Sequence, residues 1–309
     1  MEHGRWFDYP VYCVLRLLLC LVQALPLETC ARLAGSIAWI AMDVLRLRKQ
    51  TVEENLCCAF PQLTKPERRN LERRMWEHLF LLVTEVVHAP RKIHDTNWRD
   101  YITVLNKREM VKLLLSDRPT VFVSGHYGNF ELSSFMLGLF GFPSYSIARP
   151  LDNPYIDRAL NQFRGLYGQY ILPKEGSAGR VNDLLRSGGT LGLLADQHAG
   201  PKGCWVDFFG RPASTHKAIA LFSLGADAPL IVSYARRTGG PLQFVIDSVA
   251  IADPRGNQAE VANVRALTQW YTKRLEEIIR VEPTQYWWLH RRWREKKVRQ
   301  SAARPSQAA

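Results

Sequence analysis

Apolar positions along this chain change their spacing several times, and each change marks a different kind of element. Residues 11–27 (VYCVLRLLLCLVQALPL) are almost continuously apolar, interrupted by Arg16, Gln23 and Pro26. A second run over 31–47 contains Arg32, Asp43 and Arg46, and Arg48 and Lys49 follow it. The first run is at the short end for a spanning helix. Three readings compete: a spanning or re-entrant anchor, an amphipathic helix pair lying on a bilayer, or a signal peptide with Val22-Gln23-Ala24 as a cleavage-like site. Arg16 in the middle of the run argues against a secretory segment and weakens a clean span, so membrane attachment is the reading carried forward. Beyond Pro66, which suits a first helical position, Leu71, Met75, Leu79, Leu82 and Val86 recur at helical spacing. They predict a long amphipathic helix ending before Pro90. The charges in its early turns read as a solvated face.

From residue 101 the pattern shifts to short apolar runs between turn residues. Strands are predicted over 101–105, 120–124, 144–148, 190–195, 229–235 and 242–246. Helices are predicted over 107–116, from the Asn153-Pro154 start to about Arg164 and Tyr167, from a Ser214 cap to Leu224, and through Leu267, Tyr271, Leu275 and Ile278. Strands alternating with helices imply an α/β fold: a mixed central sheet with helices on both faces. The expected organisation is a membrane-associating helical segment over 1–50, a catalytic-sized domain over 51–299, and a small-residue disordered tail over 300–309.

Composition narrows the classes. Of 309 residues, 47% are hydrophobic and 23% charged, which is a globular balance. The net charge of +12 suits anionic partners. No zinc-finger spacing or RNA-binding signature accompanies it, so a membrane face or a phosphorylated substrate is favoured over nucleic acid. The six cysteines form no Cys-x-x-Cys, and four lie in or beside apolar helical stretches. They read as free thiols in a reducing compartment.

The chemistry-bearing stretch is Val121-Phe122-Val123-Ser124-Gly125-His126-Tyr127-Gly128-Asn129-Phe130-Glu131. A buried strand is broken by Gly125 and Gly128, and an apolar helix follows. His126 therefore sits at the strand-to-helix edge where ligands bind in α/β folds, and an imidazole there can act as a base near neutral pH. Glu131 falls in the first helical turn, within sequence reach of the ring. A base backed by a carboxylate activates a hydroxyl; a helix-capping glutamate beside a satisfied histidine explains the same residues. The backbone N–H groups of Gly128 and Asn129 are candidates for an oxyanion site. His126, Glu131, Asp196 and His198 lack a metal-site spacing. Ser124-Gly125-His126 is not a Gly-x-Ser-x-Gly elbow, and Ser214-Thr215-His216-Lys217 lacks the companion motifs of a Ser-x-x-Lys enzyme.

His-x4-Glu after a buried strand resembles the signature of the glycerolipid and lipid A acyltransferases. Ala148-Arg149-Pro150-Leu151-Asp152-Asn153-Pro154-Tyr155-Ile156-Asp157, Asp196-Gln197 with Val206-Asp207-Phe208-Phe209-Gly210, and Glu282-Pro283-Thr284-Gln285-Tyr286-Trp287-Trp288-Leu289-His290-Arg291-Arg292-Trp293 resemble further segments of the late lipid A acyltransferases. They occur in that family's order and span the chain to about Lys297. The resemblance implies a glycerolipid acyltransferase-like fold, an anchor on the cytoplasmic face of the inner membrane, and no metal or other cofactor. The implied partners are an acyl-carrier protein or acyl-CoA donor and a glycolipid acceptor. On this reading His126 is the base, Glu131 orients it, and Arg149, Arg164 and Asp196 handle substrate. Acylation of another glycolipid, such as a phosphatidylinositol mannoside, thioester or lipid hydrolysis, and non-catalytic membrane binding stay open as alternatives. In the C-terminal cluster, Trp287 or Trp288 is expected to pack, while the later basic residues face headgroups or substrate.

Overall fold

The computed structural model describes residues 6–294. In chain order the strands of its larger sheet are β1 (Ile102–Leu105), β2 (Thr120–Ser124), β3 (Ser144–Ala148), β4 (Gln169–Pro173), β5 (Thr190–Leu194), β8 (Leu230–Arg237) and β9 (Phe244–Ala252). Side by side they run β1-β9-β8-β2-β5-β3-β4. Only the β8–β9 pair is antiparallel within this sheet. The sheet is therefore mixed, as the alternation of elements predicted. β6 (Cys204–Phe208) and β7 (Arg211–Thr215) form a separate antiparallel hairpin.

Alternate residues of the central strands face opposite layers, as a pleat requires. Val121, Val123, Leu230 and Val232 join a core with Val181 and Leu185 of α8 (Ser177–Arg186) and Leu267, Tyr271 and Leu275 of α10 (Val264–Val281). Phe122 and Ile231 join Met110 of α5 (Lys107–Leu114) in another. Helices thus cover both faces. β2 is buried along its length except at Ser124, which fits its near-continuous apolar run.

The N-terminal part is joined to this core. α2 (Leu27–Trp39) buries Cys30, Ala34 and Ala38, and Ala38, Ala41 and Met42 belong to the main cluster with Val52 and Leu56 of α3 (Lys49–Ala59) and Met75 and Trp76 of α4 (Lys65–Lys92). α1 (Asp8–Ala24) differs: Val11, Val14, Leu17, Leu18 and Leu21 are all exposed. Among the described residues no helix is long and apolar enough to cross a membrane.

Three expectations shift. α4 starts on a capping box, Thr64 with Glu67, and continues past Pro90 to Lys92: the proline forfeits its own i→i−4 bond, but the ladder resumes, with the Ile93 N–H bonded to the Ala89 carbonyl. β4 and α8 were not anticipated. Ser214 does not cap a helix: it lies in β7 opposite Trp205, and α9 (Ala218–Gly225) begins later. The expected tail over 300–309 lies outside the described residues.

Candidate active site

Parallel pairing places the central residues. β2 and β5 run in register with Ser124 beside Leu194. Continuing both chains two residues brings His126 next to Asp196. The imidazole Nδ1 lies 2.8 Å from Asp196 Oδ1, and Asp196 Oδ2 accepts the His126 backbone N–H at 2.8 Å. A carboxylate at Nδ1 fixes that nitrogen as the protonated one. Nε2 is left as an acceptor, 3.4 Å from Nε2 of the exposed Gln197. Gly125 leaves room for this approach: a Cβ there would stand 3.3 Å from Asp196 Oδ2.

Burial pushes the His126 imidazole toward its neutral form. The Asp196 charge and hydrogen bond outweigh that, with Glu131 adding through space, so the ring's pKa rises above its ordinary 6.5. Asp196 is buried, which alone would favour its acid form. The imidazole, the backbone N–H and Arg292 reverse this and hold the carboxyl below its usual range. The pair is thus tuned to keep a carboxylate behind a basic imidazole.

The other expected residues separate. Glu131, in the first turn of α6 (Phe130–Leu139), makes no hydrogen bond to His126. Arg164, in the last turn of α7 (Pro154–Gly165), donates to both its oxygens through Nε and Nη2. The carboxylate hydrogen-bonded to the ring is that of Asp196, expected to handle substrate, and not that of Glu131, expected to orient it. The register of neighbouring strands decides this, since it brings Asp196 to the ring edge while Glu131 leaves on the helix. Arg149 is exposed and pairs on the surface with Asp152 at 3.4 Å. The proposed oxyanion donors are already spent. Gly128 N–H donates to the Gln285 carbonyl at 2.9 Å, and Asn129 N–H to the Ala235 carbonyl at 2.7 Å. Buried N–H groups satisfied in this way have no free hydrogen to offer an oxyanion. Asn129 serves the helix instead, its side chain accepting from the Leu132 N–H.

The clamp around this loop was missed. Glu85 is fully buried and accepts from Arg237, from the Asn129 amide and from the Leu242 N–H. Arg237 also lies 2.9 Å from His78 Nδ1, and His78 Nε2 lies 3.2 Å from the Gly128 carbonyl. Burial, reinforced by Arg237, drives the His78 pKa down to about 3, so the ring is neutral and donates from Nε2 to Gly128. Gln285 bonds both the N–H and the carbonyl of Arg237, and Trp287 N–H donates to the His126 carbonyl at 2.9 Å. Each partner is remote in sequence. The repeated polar residues on one side of α4, His78 and Glu85, were the available signal.

The C-terminal cluster divides more finely than expected. Trp288 is 1% exposed and packs on Phe60 and Tyr286. Trp287 meets the His126 ring edge-on, with centroids 5.4 Å apart. Arg292 faces neither headgroup nor substrate: it is buried, donates to the Ser214 carbonyl and the Thr215 hydroxyl, and lies over the Phe208 ring. A cavity of about 230 Å³ opens on His126 and Asp196, walled by Arg48, Gln197, Trp287, Leu289 and His290. A neutral-capable base facing such a cavity can take a proton from a hydroxyl bound there.

A family model described as bacterial lipid A biosynthesis acyltransferase matches residues 2–295. The lipid A biosynthesis lauroyltransferase of Escherichia coli is 25% identical over 282 residues, covering 89% of this chain and 88% of that protein. The lipid A biosynthesis palmitoleoyltransferase of Escherichia coli is 24% identical, covering 90% and 89%. A 1-acyl-sn-glycerophosphate acyltransferase crystal structure from Thermotoga maritima aligns with a TM-score of 0.41 at 12% identity, over 87% of this chain and 100% of that one.

Proposed function

The chain belongs to the bacterial lipid A biosynthesis acyltransferase family, and from that premise we propose that it moves a fatty acyl group from an acyl-carrier-protein or CoA thioester to a hydroxyl of a lipid A precursor or related glycolipid. The observation that carries the proposal is the His126–Asp196 pair, with Nε2 open to the cavity.

The acceptor hydroxyl attacks the thioester carbonyl while His126 Nε2 removes its proton. The carbonyl π pair moves to oxygen, then returns as the C–S bond breaks. The thiolate leaves with the proton from Nε2, and an ester remains on the acceptor. Asp196 keeps Nδ1 protonated and stabilises the transient imidazolium. Glu131 adds negative potential and, with Arg164, fixes α6 against α7. Gln197 lines the cavity, and its amide is a donor available to the developing oxyanion. The exposed apolar face of α1 supports attachment to a membrane, with the helix lying in the lipid surface; we place that surface on the cytoplasmic face of the inner membrane, where a thioester donor is at hand.

The test uses the full chain in detergent micelles with each thioester, with and without glycolipid. Acyl transfer that requires the acceptor is expected, with product identified by mass spectrometry. Equal thioester cleavage without acceptor would make the enzyme a hydrolase. Transfer only to a phosphatidylinositol mannoside would move it to the other acceptor class.

A further inference from the structure

Besides His126, the side chains of Arg48, Gln197, Trp287 and His290 bring polar hydrogens to the wall of the catalytic cavity. Gln197 lies at His126 Nε2, the Trp287 indole packs against the His126 ring, and Arg48 is exposed. His290 differs in being held at both its backbone and its ring. The buried Asn55 amide donates to the His290 carbonyl and to the Trp288 carbonyl, each at 2.7 Å. The backbone N–H of His198, two residues beyond Asp196, donates to His290 Nε2 at 2.9 Å.

That last bond fixes the tautomer. A backbone N–H only donates, so Nε2 is the acceptor nitrogen and the neutral ring carries its hydrogen on Nδ1. No described residue bonds Nδ1, and that nitrogen is not sealed from solvent. Burial drives the His290 pKa down to about 4, against the Asp196 charge and with Arg292 helping. The ring is therefore neutral at the pH where His126 works. His126 has the mirror arrangement: its Nδ1 is spent on Asp196, its Nε2 accepts, and its pKa is raised. One cavity thus holds a histidine that takes a proton and another that offers a hydrogen bond without giving its hydrogen up. Environments that push two like groups apart in this way separate their roles.

We propose that His290 is a catalytic residue, a second donor beside Gln197, whose Nδ1–H hydrogen-bonds the thioester carbonyl oxygen as that oxygen becomes negative. The assignment rests on the acyl transfer proposed above. The acceptor oxygen bonds to the carbonyl carbon, the π pair moves onto the carbonyl oxygen, and the acceptor's proton goes to His126 Nε2. His290 keeps its own hydrogen throughout. When the pair returns and the C–S bond breaks, the thiolate takes the proton from His126. A held donor that meets charge developed only in the transition state changes kcat more than KM.

The test compares His290→Phe and His290→Asn with the native full chain in detergent micelles, using acyl-carrier thioester and glycolipid. His290→Phe keeps a ring and removes both polar contacts. Its kcat is expected to fall about 10²–10³-fold, with KM for the thioester and the acid limb of kcat/KM unmoved, since His126 and Asp196 are untouched. His290→Asn brings an amide N–H near the Nδ1 position and should recover at least about tenfold of that loss. It does not restore the His198 bond. A ring that only holds residues 197–198 therefore predicts no recovery, a shifted acid limb and a fall in melting temperature that matches the lost activity. Imidazole nitrogen NMR of the native protein gives a check independent of turnover: His290 should carry its hydrogen on Nδ1 and stay neutral while His126 titrates.

Undiminished kcat in a folded His290→Phe protein, or no recovery with His290→Asn, overturns the proposal while acyl transfer stands. So does a His290 ring that carries its hydrogen on Nε2 or titrates together with His126. If the native protein cleaves thioester equally well without acceptor, the transferase reading fails instead. The same oxyanion forms with water as nucleophile, so His290→Phe must still slow that cleavage for the donor assignment to survive.

Discussion

Arg164 grips both carboxylate oxygens of Glu131, joining the end of α7 to the start of α6. The two side chains are 17% and 14% exposed, so the pair is screened far less than a surface bridge. It fixes the helix that begins four residues after His126. The expected outcome of a double-mutant cycle with Glu131→Gln and Arg164→Ala is a coupling of about 1–3 kcal/mol in stability, read from denaturant melts. Additive losses would show that the two act independently.

On the proposed mechanism, His126 and its Asp196 carboxylate set the pH dependence. The His126 pKa is raised above 6.5, and activity needs the neutral ring, so kcat/KM should fall as pH drops through a value above 6.5. Asp196→Asn removes the main raising influence while burial remains. Its acid limb should move to lower pH, and turnover should fall about 10²–10⁴-fold. The stability contribution has the opposite sense: a raised histidine pKa stabilises the fold most below 6.5, and that stabilisation is lost as pH rises through the folded-state pKa. An unmoved acid limb in Asp196→Asn would mean that another group titrates.

His126→Ala in the Asp196→Asn background should cost little more than His126→Ala alone, because two residues serving one proton transfer are not additive. Single-turnover rates of the three variants measure this. Full activity in a folded His126→Ala protein would sink the mechanism.

Gly128 has a φ of +56°, and a Cβ there would lie 1.9 Å from the Ala235 carbonyl oxygen. Gly128→Ala must therefore displace either the loop or β8. We expect a loss of at least ~2 kcal/mol and loss of activity with it. A melting temperature equal to the native protein's would show that the loop has room the structure does not display.

Replacing Leu17, Leu18 and Leu21 by Gln should release the protein from membranes without unfolding it, since all three are more than half exposed. Each leucine contributes about 1.5–3 kcal/mol when fully withdrawn from water. Deleting the whole N-terminal segment is a poorer test, because Ala38, Ala41 and Met42 belong to the main core. A folded triple variant that still sediments with membranes would refute the surface-bound reading.

Most of the sheet was legible because its strands are short apolar runs between turn residues, and His126 stood out where one such run stops at Gly125. Its true partner was not. Asp196 lies 70 residues away, and only the register of β2 on β5 brings the two together. Glu131 looked closer because sequence distance is a poor guide once one residue leaves on a helix and the other ends a strand. Residues 177–186 (SAGRVNDLLR) carry few apolar positions, which hid α8. Ser214 imitated a cap because the pairing of β7 with β6 is not written in the local sequence.

The segment from Gln285 to Trp287 reaches back to clasp the His126–Gly128 loop. That arrangement has a consequence in time. A chain leaving the ribosome presents its histidine loop long before residues 285–287 exist to close over it, and synthesis runs at about 5–20 residues per second. The loop therefore cannot be closed until residues 285–287 have been made, and a chain cut short before Gln285 would keep His126 and Asp196 without the clasp that fixes them.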